Sequence, residues 1–191
     1  MEPMIILLIV VLVVVLVFGA VLVAIYNSLV SGKVQTENAW SQIDVQLRRR
    51  YDLIPNLVET VKGYAGHERE TLEKVIQARN MAVNARGAEQ AAQAENMLSG
   101  ALKSLFAVAE AYPNLKANQN FMDLQEELKA TENRVGFARQ FYNDVVGQYN
   151  GSLMRFPNNL VANTFGFRQV AFFQLNPEEA AAVRSAPQVK F

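Results

Sequence analysis

The sequence predicts an all-α protein: an N-terminal transmembrane helix, then a long antiparallel helical bundle of the up-down type, then a mostly irregular C-terminal tail. Three observations carry this. Residues 4–24 are apolar or glycine without exception. Two long runs further on repeat their apolar residues at alternating steps of three and four, the period of one helix face. The last stretch changes to aromatics punctuated by Pro and Gly.

Residues 1–3 form a short leader to the apolar run, which Ile25 and Tyr26 extend, so the predicted span is 4–26. At ~1.5 Å per residue such a helix covers the ~30 Å hydrocarbon core. Three readings compete for it: a cleaved signal peptide, a transmembrane helix and a buried core helix. A signal peptide has a basic start, a shorter apolar run and a small-x-small cleavage site. Here the start carries Glu2, and the far flank, Ala24-Ile25-Tyr26-Asn27-Ser28, has no Ala-x-Ala. Length therefore favours an anchor. The first basic residues beyond it are Lys33 and then Arg48, Arg49 and Arg50, and the positive-inside bias places the C-terminal domain in the cytoplasm. Transporters and channels place polar groups within the membrane. This span has no ionisable residue and no Gly-xxx-Gly pair, which argues against transport.

Residues 27–39 read as a juxtamembrane linker or helix, and 40–155 as the bundle. Trp40, Ile43, Leu47, Arg50, Ile54, Leu57, Val61 and Tyr64 form one stripe. Phe121, Leu124, Leu128, Thr131, Val135, Ala138, Tyr142, Val145 and Tyr149 form the other. Pro55 removes one backbone bond and predicts a kink near Tyr51 to Ile54. Between the long helices lie two shorter ones, near His67–Asn84 and Ala88–Tyr112, separated at Arg86-Gly87. Either two legs or one broken leg fits that pattern. Pro113 ends the second, since proline cannot continue the ladder. Short connections make neighbouring helices antiparallel.

The tail, 156–191, opens at Phe156-Pro157-Asn158-Asn159, a possible helix start with Pro157 in the first position. Asn176-Pro177-Glu178-Glu179 opens another, with Asn176 as cap and acids in the first turn. Phe156, Phe165, Phe167, Phe172, Phe173 and Phe191 are many aromatics for a disordered tail, and they call for this bundle or a neighbouring subunit to pack on.

Composition narrows the chemistry. Eighteen basic and eighteen acidic residues cancel, which argues against nucleic acid as a partner. Without Cys, disulfides, thiol catalysis and Cys-based zinc sites are excluded. His67 is the single histidine and is more simply read at a helix start than as a metal ligand or hydrolase base. Adjacent pairs such as Glu126-Glu127 and Glu178-Glu179 point to different helix sides and read as solvated faces. No catalytic, cofactor or metal residues are therefore assigned.

The notable charges are Arg48, Arg49 and Arg50. A lipid contact would need the chain to bend at Gly32, because a straight helix carries Arg48 ~33 Å beyond Tyr26, far past the ~8 Å screening length. Successive residues turn by ~100°, so the three arginines have separate roles. Arg50 falls on the core stripe and calls for a buried ion pair or a carbonyl contact, with Glu110, Glu132 and Asp144 as partners to choose among. Val189 and Phe191 either pack on this chain or offer a C-terminus for capture.

The stretch Arg48-Arg49-Arg50-Tyr51-Asp52-Leu53-Ile54-Pro55-Asn56-Leu57-Val58-Glu59-Thr60-Val61-Lys62-Gly63-Tyr64-Ala65-Gly66-His67-Glu68 resembles the LemA family of bacterial membrane proteins. So do Tyr112-Pro113-Asn114-Leu115-Lys116-Ala117, Ala138-Arg139-Gln140-Phe141-Tyr142-Asn143, and Phe156-Pro157 with Gly166-Phe167. The resemblance implies one N-terminal membrane helix, a helical bundle facing the cytoplasm, and neither an enzyme activity nor a cofactor. The residues singled out for interaction or structure are Arg48, Arg49, Arg50, Pro55, Tyr64, Phe167 and Phe191. The expected function is a non-enzymatic scaffold or adaptor at the bacterial inner membrane. Its expected partners are the lipid bilayer through residues 4–26, further copies of itself and other membrane proteins. A sensor with its bundle outside the cytoplasm and an unrecognised hydrolase are the alternatives.

Overall fold

The computed structural model describes residues 3–174. The helix expected from Asn176, and the terminal Val189 and Phe191, lie outside the described residues. Six helices follow in order: α1 (Pro3–Lys62), α2 (Arg69–Asn84), α3 (Gly87–Ala109), α4 (Pro113–Lys116), α5 (Gln119–Met154) and α6 (Asn158–Phe165). The fold is all-α, led by a long apolar helix, and residues 27–39 are helical within α1. The chain divides into two compact units. One comprises 1–39 with 144–170, the other 40–143 with 171–191.

In the first unit, α1 and the end of α5 run antiparallel. Leu29, Tyr149, Leu153, Val161 and Ala162 make its core, with Ile25, Phe167 and Val170 packed against it. Gly32 is needed where α5 comes near: a Cβ there would stand 3.0 Å from Tyr149 Cδ2. After Met154 the chain turns back and α6 lays Val161 and Ala162 on that core. Pro157 stands as the N-cap of α6 rather than as its first residue, and Gly166, left-handed at φ 73°, ends it.

In the second unit, α1 again runs antiparallel to α5: Trp40 stacks edge-on against Tyr142 at 5.6 Å, while nine residues later Arg49 meets Glu127. The stripe of α1 is buried at Ile43, Leu47, Arg50, Ile54, Leu57 and Val61, but Tyr64 is exposed. Each fully buried aliphatic chain is worth ~1.5–3 kcal/mol. On α5 the buried residue is Val146 of the first unit rather than Val145; a strict 3-4 alternation drifts from a 3.6-residue turn. The two short helices are separate antiparallel legs. Ala85 and Arg86 link them, and Leu72, Val75, Ala78 and Ala82 of α2 are buried, as are Ala91, Ala94, Leu98, Leu102 and Leu105 of α3. Asn118 caps α5 by accepting a bond from Phe121 N at 3.0 Å.

Candidate functional site

The polar centre of the second unit is built from α1 and α3. Arg50 keeps its place in the stripe and is buried, as is Glu95, which shares a face of α3 with Ala91, Ala94 and Leu98. Arg50 donates from Nη1 to Glu95 Oε2 at 2.8 Å and from Nη2 to Ser99 Oγ at 3.0 Å. The partner is therefore Glu95, and not Glu110, Glu132 or Asp144. Glu110 pairs with Lys116 instead. Alanines around Glu95 leave room for a long guanidinium side chain, and that is a property of the facing helix, invisible in the α1 pattern.

Burial pushes the Glu95 carboxyl above the usual carboxylate range, while the Arg50 charge pulls against it. Burial, and then the negative charge of Glu95, push the Tyr51 hydroxyl far up. Arg50 Nε, Glu95 Oε1, Tyr51 Oη and Gln46 Oε1 are buried without a hydrogen-bond partner. The cluster thus sits on a fine balance, because unsatisfied buried polar atoms cost ~1–3 kcal/mol each. Its ionised groups are shut away from solvent, and its chemistry is that of a lock between α1 and α3.

One turn away, Pro55 leaves the Tyr51 carbonyl without the amide donor that a helix would supply. Arg79 of α2 fills the gap, donating from Nε to Tyr51 O at 3.3 Å. The helix itself continues through Pro55. Arg50 and Arg79 therefore tie α1 to both short legs, one by charge and one by a backbone oxygen. A cleft of about 450 Å³ opens beside them, lined among others by Trp40, Asp44, Arg48, Tyr51 and Arg79.

The other singled-out residues are scattered. Arg48 is exposed and pairs with Asp44 at 2.8 Å, one turn back. Arg49 reaches Glu127 on α5. Tyr64 accepts a bond from Asn118 Nδ2 at 3.0 Å. Phe167 is half-buried in the first unit, its ring 5.6 Å from that of Tyr26. Phe191 lies outside the described residues. His67 is exposed in the turn before α2. Among the described residues, no three His, Asp or Glu side chains gather as a metal ion requires.

Sequence reasoning missed Glu95, Ser99 and Arg79 as partners, and it missed two asparagines. Asn143 pairs with the backbone of Phe173 in both directions, at 3.0 and 2.9 Å. Asn150 does the same with Val170, at 2.8 and 2.9 Å. These amides act as surrogate strand partners for the chain after α6. Phe173, so held, is buried against Trp40 with the Arg139 guanidinium 5.8 Å from its ring centre. The asparagine spacing of seven, two helical turns, was the available signal. Phe156 and Phe165, by contrast, are exposed.

The sequence model described as the LemA family matches residues 39–191. The chain is similar to Protein LemA of Metamycoplasma hominis, 28% identical over 171 residues, 87% of this chain and 77% of that one. It is also similar to Magnetosome protein MamQ 2 of Paramagnetospirillum magneticum, 25% identical over 186 residues, 84% of this chain and 68% of that one. Magnetosome protein MamQ of Magnetospirillum gryphiswaldense is 22% identical over 178 residues, 80% of this chain and 65% of that one.

Proposed function

The chain belongs to the LemA family, and from that premise we propose that it is a non-enzymatic, membrane-anchored scaffold whose copies associate side by side. In this reading residues 4–26 of α1 cross the bacterial inner membrane once and the bundle stands in the cytoplasm. The observation that carries it is the surface of α1. Its large apolar side chains from Met4 to Phe18 are between 47% and 70% exposed, in a helix long and apolar enough to cross a membrane. Water penalises each such side chain, whereas lipid accepts them all. The basic residues that follow, Lys33 and then Arg48, Arg49 and Arg50, support the cytoplasmic side.

Self-association has its own support. Val45 of α1 and Phe137 and Phe141 of α5 are exposed along one groove of the second unit, beside Gln42 and Gln46. An apolar patch of this kind marks a contact surface, and confinement to a membrane raises the effective concentration of copies. The chain has no cysteine, so a single Phe141→Cys reports cleanly. Oxidation in intact membranes should give a disulfide-linked dimer, and monomer bands alone would remove self-association from the reading. Protease added to inside-out vesicles should digest the bundle. Digestion in right-side-out vesicles instead would favour the sensor.

A further inference from the structure

The exposed aromatics at the turn into α6 and at its far end have no place in the scaffold reading. Phe156 is 80% exposed, Leu160 57% and Phe165 62%, all within the first unit. Their position relative to the anchor is fixed by a ring contact. The Phe165 ring centre is 4.9 Å from that of Tyr26, edge to face. Tyr26 ends a run of uncharged residues from Pro3, and the next charged residue is Lys33, ~10 Å further along the helix. A span from Met4 to Tyr26 is ~33 Å long, matching a ~30 Å hydrocarbon core. Tyr26 thus falls at the boundary with the headgroups, the depth where amphipathic rings collect. Phe165, in contact with it, lies at that same depth.

Charge agrees with position. Residues 151–170 carry Arg155 and Arg168 and no acidic residue, and both arginines are exposed. Apolar rings next to basic side chains, with no carboxylate among them, suit a surface of anionic lipid.

We infer that α6 and the turn before it form a membrane-facing cap. Phe156, Leu160 and Phe165 enter the headgroup boundary beside the anchor, and Arg155 and Arg168 meet lipid phosphates. The occupant of this apolar surface is the bilayer that holds α1, reached without a break along the Tyr26–Phe165 contact. The inference rests on the anchor reading and adds to it a second lipid contact that fixes the rotation of α1 about its own axis.

The test uses the full chain in vesicles of phosphatidylcholine and phosphatidylglycerol, in a Trp40→Phe background that removes the single native tryptophan. Phe18→Trp reports on the anchor and Phe165→Trp on the cap. Lipids brominated near the headgroup should quench Phe165→Trp, and lipids brominated near the chain ends should quench Phe18→Trp. Phe156→Trp, at the most exposed of the three positions, gives the same readout if substitution at 165 disturbs folding. Quenching at 18 with none at either cap position overturns the cap and leaves the anchor standing. A blue-shifted but unquenched signal at the cap also overturns it, since protein, such as a second copy, then covers the surface. Absence of quenching at all three positions removes the anchor reading and the cap with it.

Discussion

Arg50 occupies a position in α1 where the repeat demands an apolar side chain, and it is accommodated because Glu95 and Ser99 meet it from α3. Burying two charges costs several kcal/mol per ion, which their attraction only partly offsets. Glu95→Leu, which strands the guanidinium, should therefore lower stability by ~3–5 kcal/mol, whereas the double variant Arg50→Met with Glu95→Leu should be neutral or up to ~4 kcal/mol more stable. Urea unfolding in mild detergent measures both. The raised Glu95 pKa sets a pH dependence. A group whose folded pKa lies above its unfolded one, ~4.3 for Glu, contributes stability that is complete below the unfolded value and is lost as pH rises through the folded one. Wild type should lose stability relative to Glu95→Gln as the pH climbs from ~4.3 through the folded pKa, and parallel profiles would show that Glu95 does not titrate there. Pro55 and Arg79 form a second coupled pair. Arg79→Met should cost ~1–3 kcal/mol by orphaning the Tyr51 carbonyl, and less when Pro55→Ala restores an amide donor. A double-mutant cycle reads that coupling directly.

Among the helices, glycines distinguish packed from unpacked surface. Gly32 lies where α1 meets the buried Tyr149 ring, while Gly136 of α5 has nothing within 4 Å of the position a Cβ would take. Gly136→Ala should raise stability by ~0.5–1 kcal/mol through helix propensity alone. Gly32→Ala has the same propensity gain but forces a ring that cannot easily retreat, a cost of ~1–3 kcal/mol, so its melting temperature should fall while that of Gly136→Ala rises. The asparagine clamps belong to this scale as well. Asn150→Ala leaves the amide and carbonyl of Val170 without their partner. If neither found water, the loss would reach ~1–3 kcal/mol for each group, and hydrogen exchange should quicken first at Val170.

For the chain as a whole, the division between lipid and water dominates. A single Val15→Arg near the middle of the apolar run should cost ~2.5–3.5 kcal/mol of insertion and raise the fraction released by alkaline carbonate, whereas the same change at exposed Val45 should leave membrane retention intact. Much of this architecture was written in one dimension. A run of 21 apolar or glycine residues from Met4 to Ala24 declares its environment without any partner. The 3-4 stripes in α1 and α5 declare helices, because periodicity is a property of each helix alone. Pro113 and Gly87 stand at helix starts for the same local reason. What needed the tertiary structure were the choices between equivalent partners. Several acids could have met Arg50, and only the packing of α3 selects Glu95. The carbonyl freed by Pro55 is predictable, but not that Arg79 reaches it. Which of the tail aromatics are covered was equally hidden: Phe173 is buried and Phe156 and Phe165 are not, because coverage depends on where Asn143 and Asn150 hold the returning chain. Hydrophobic period and chain stiffness act within a segment and so are legible in it. Pairing is decided by three-dimensional proximity between segments, which the order of residues alone does not set.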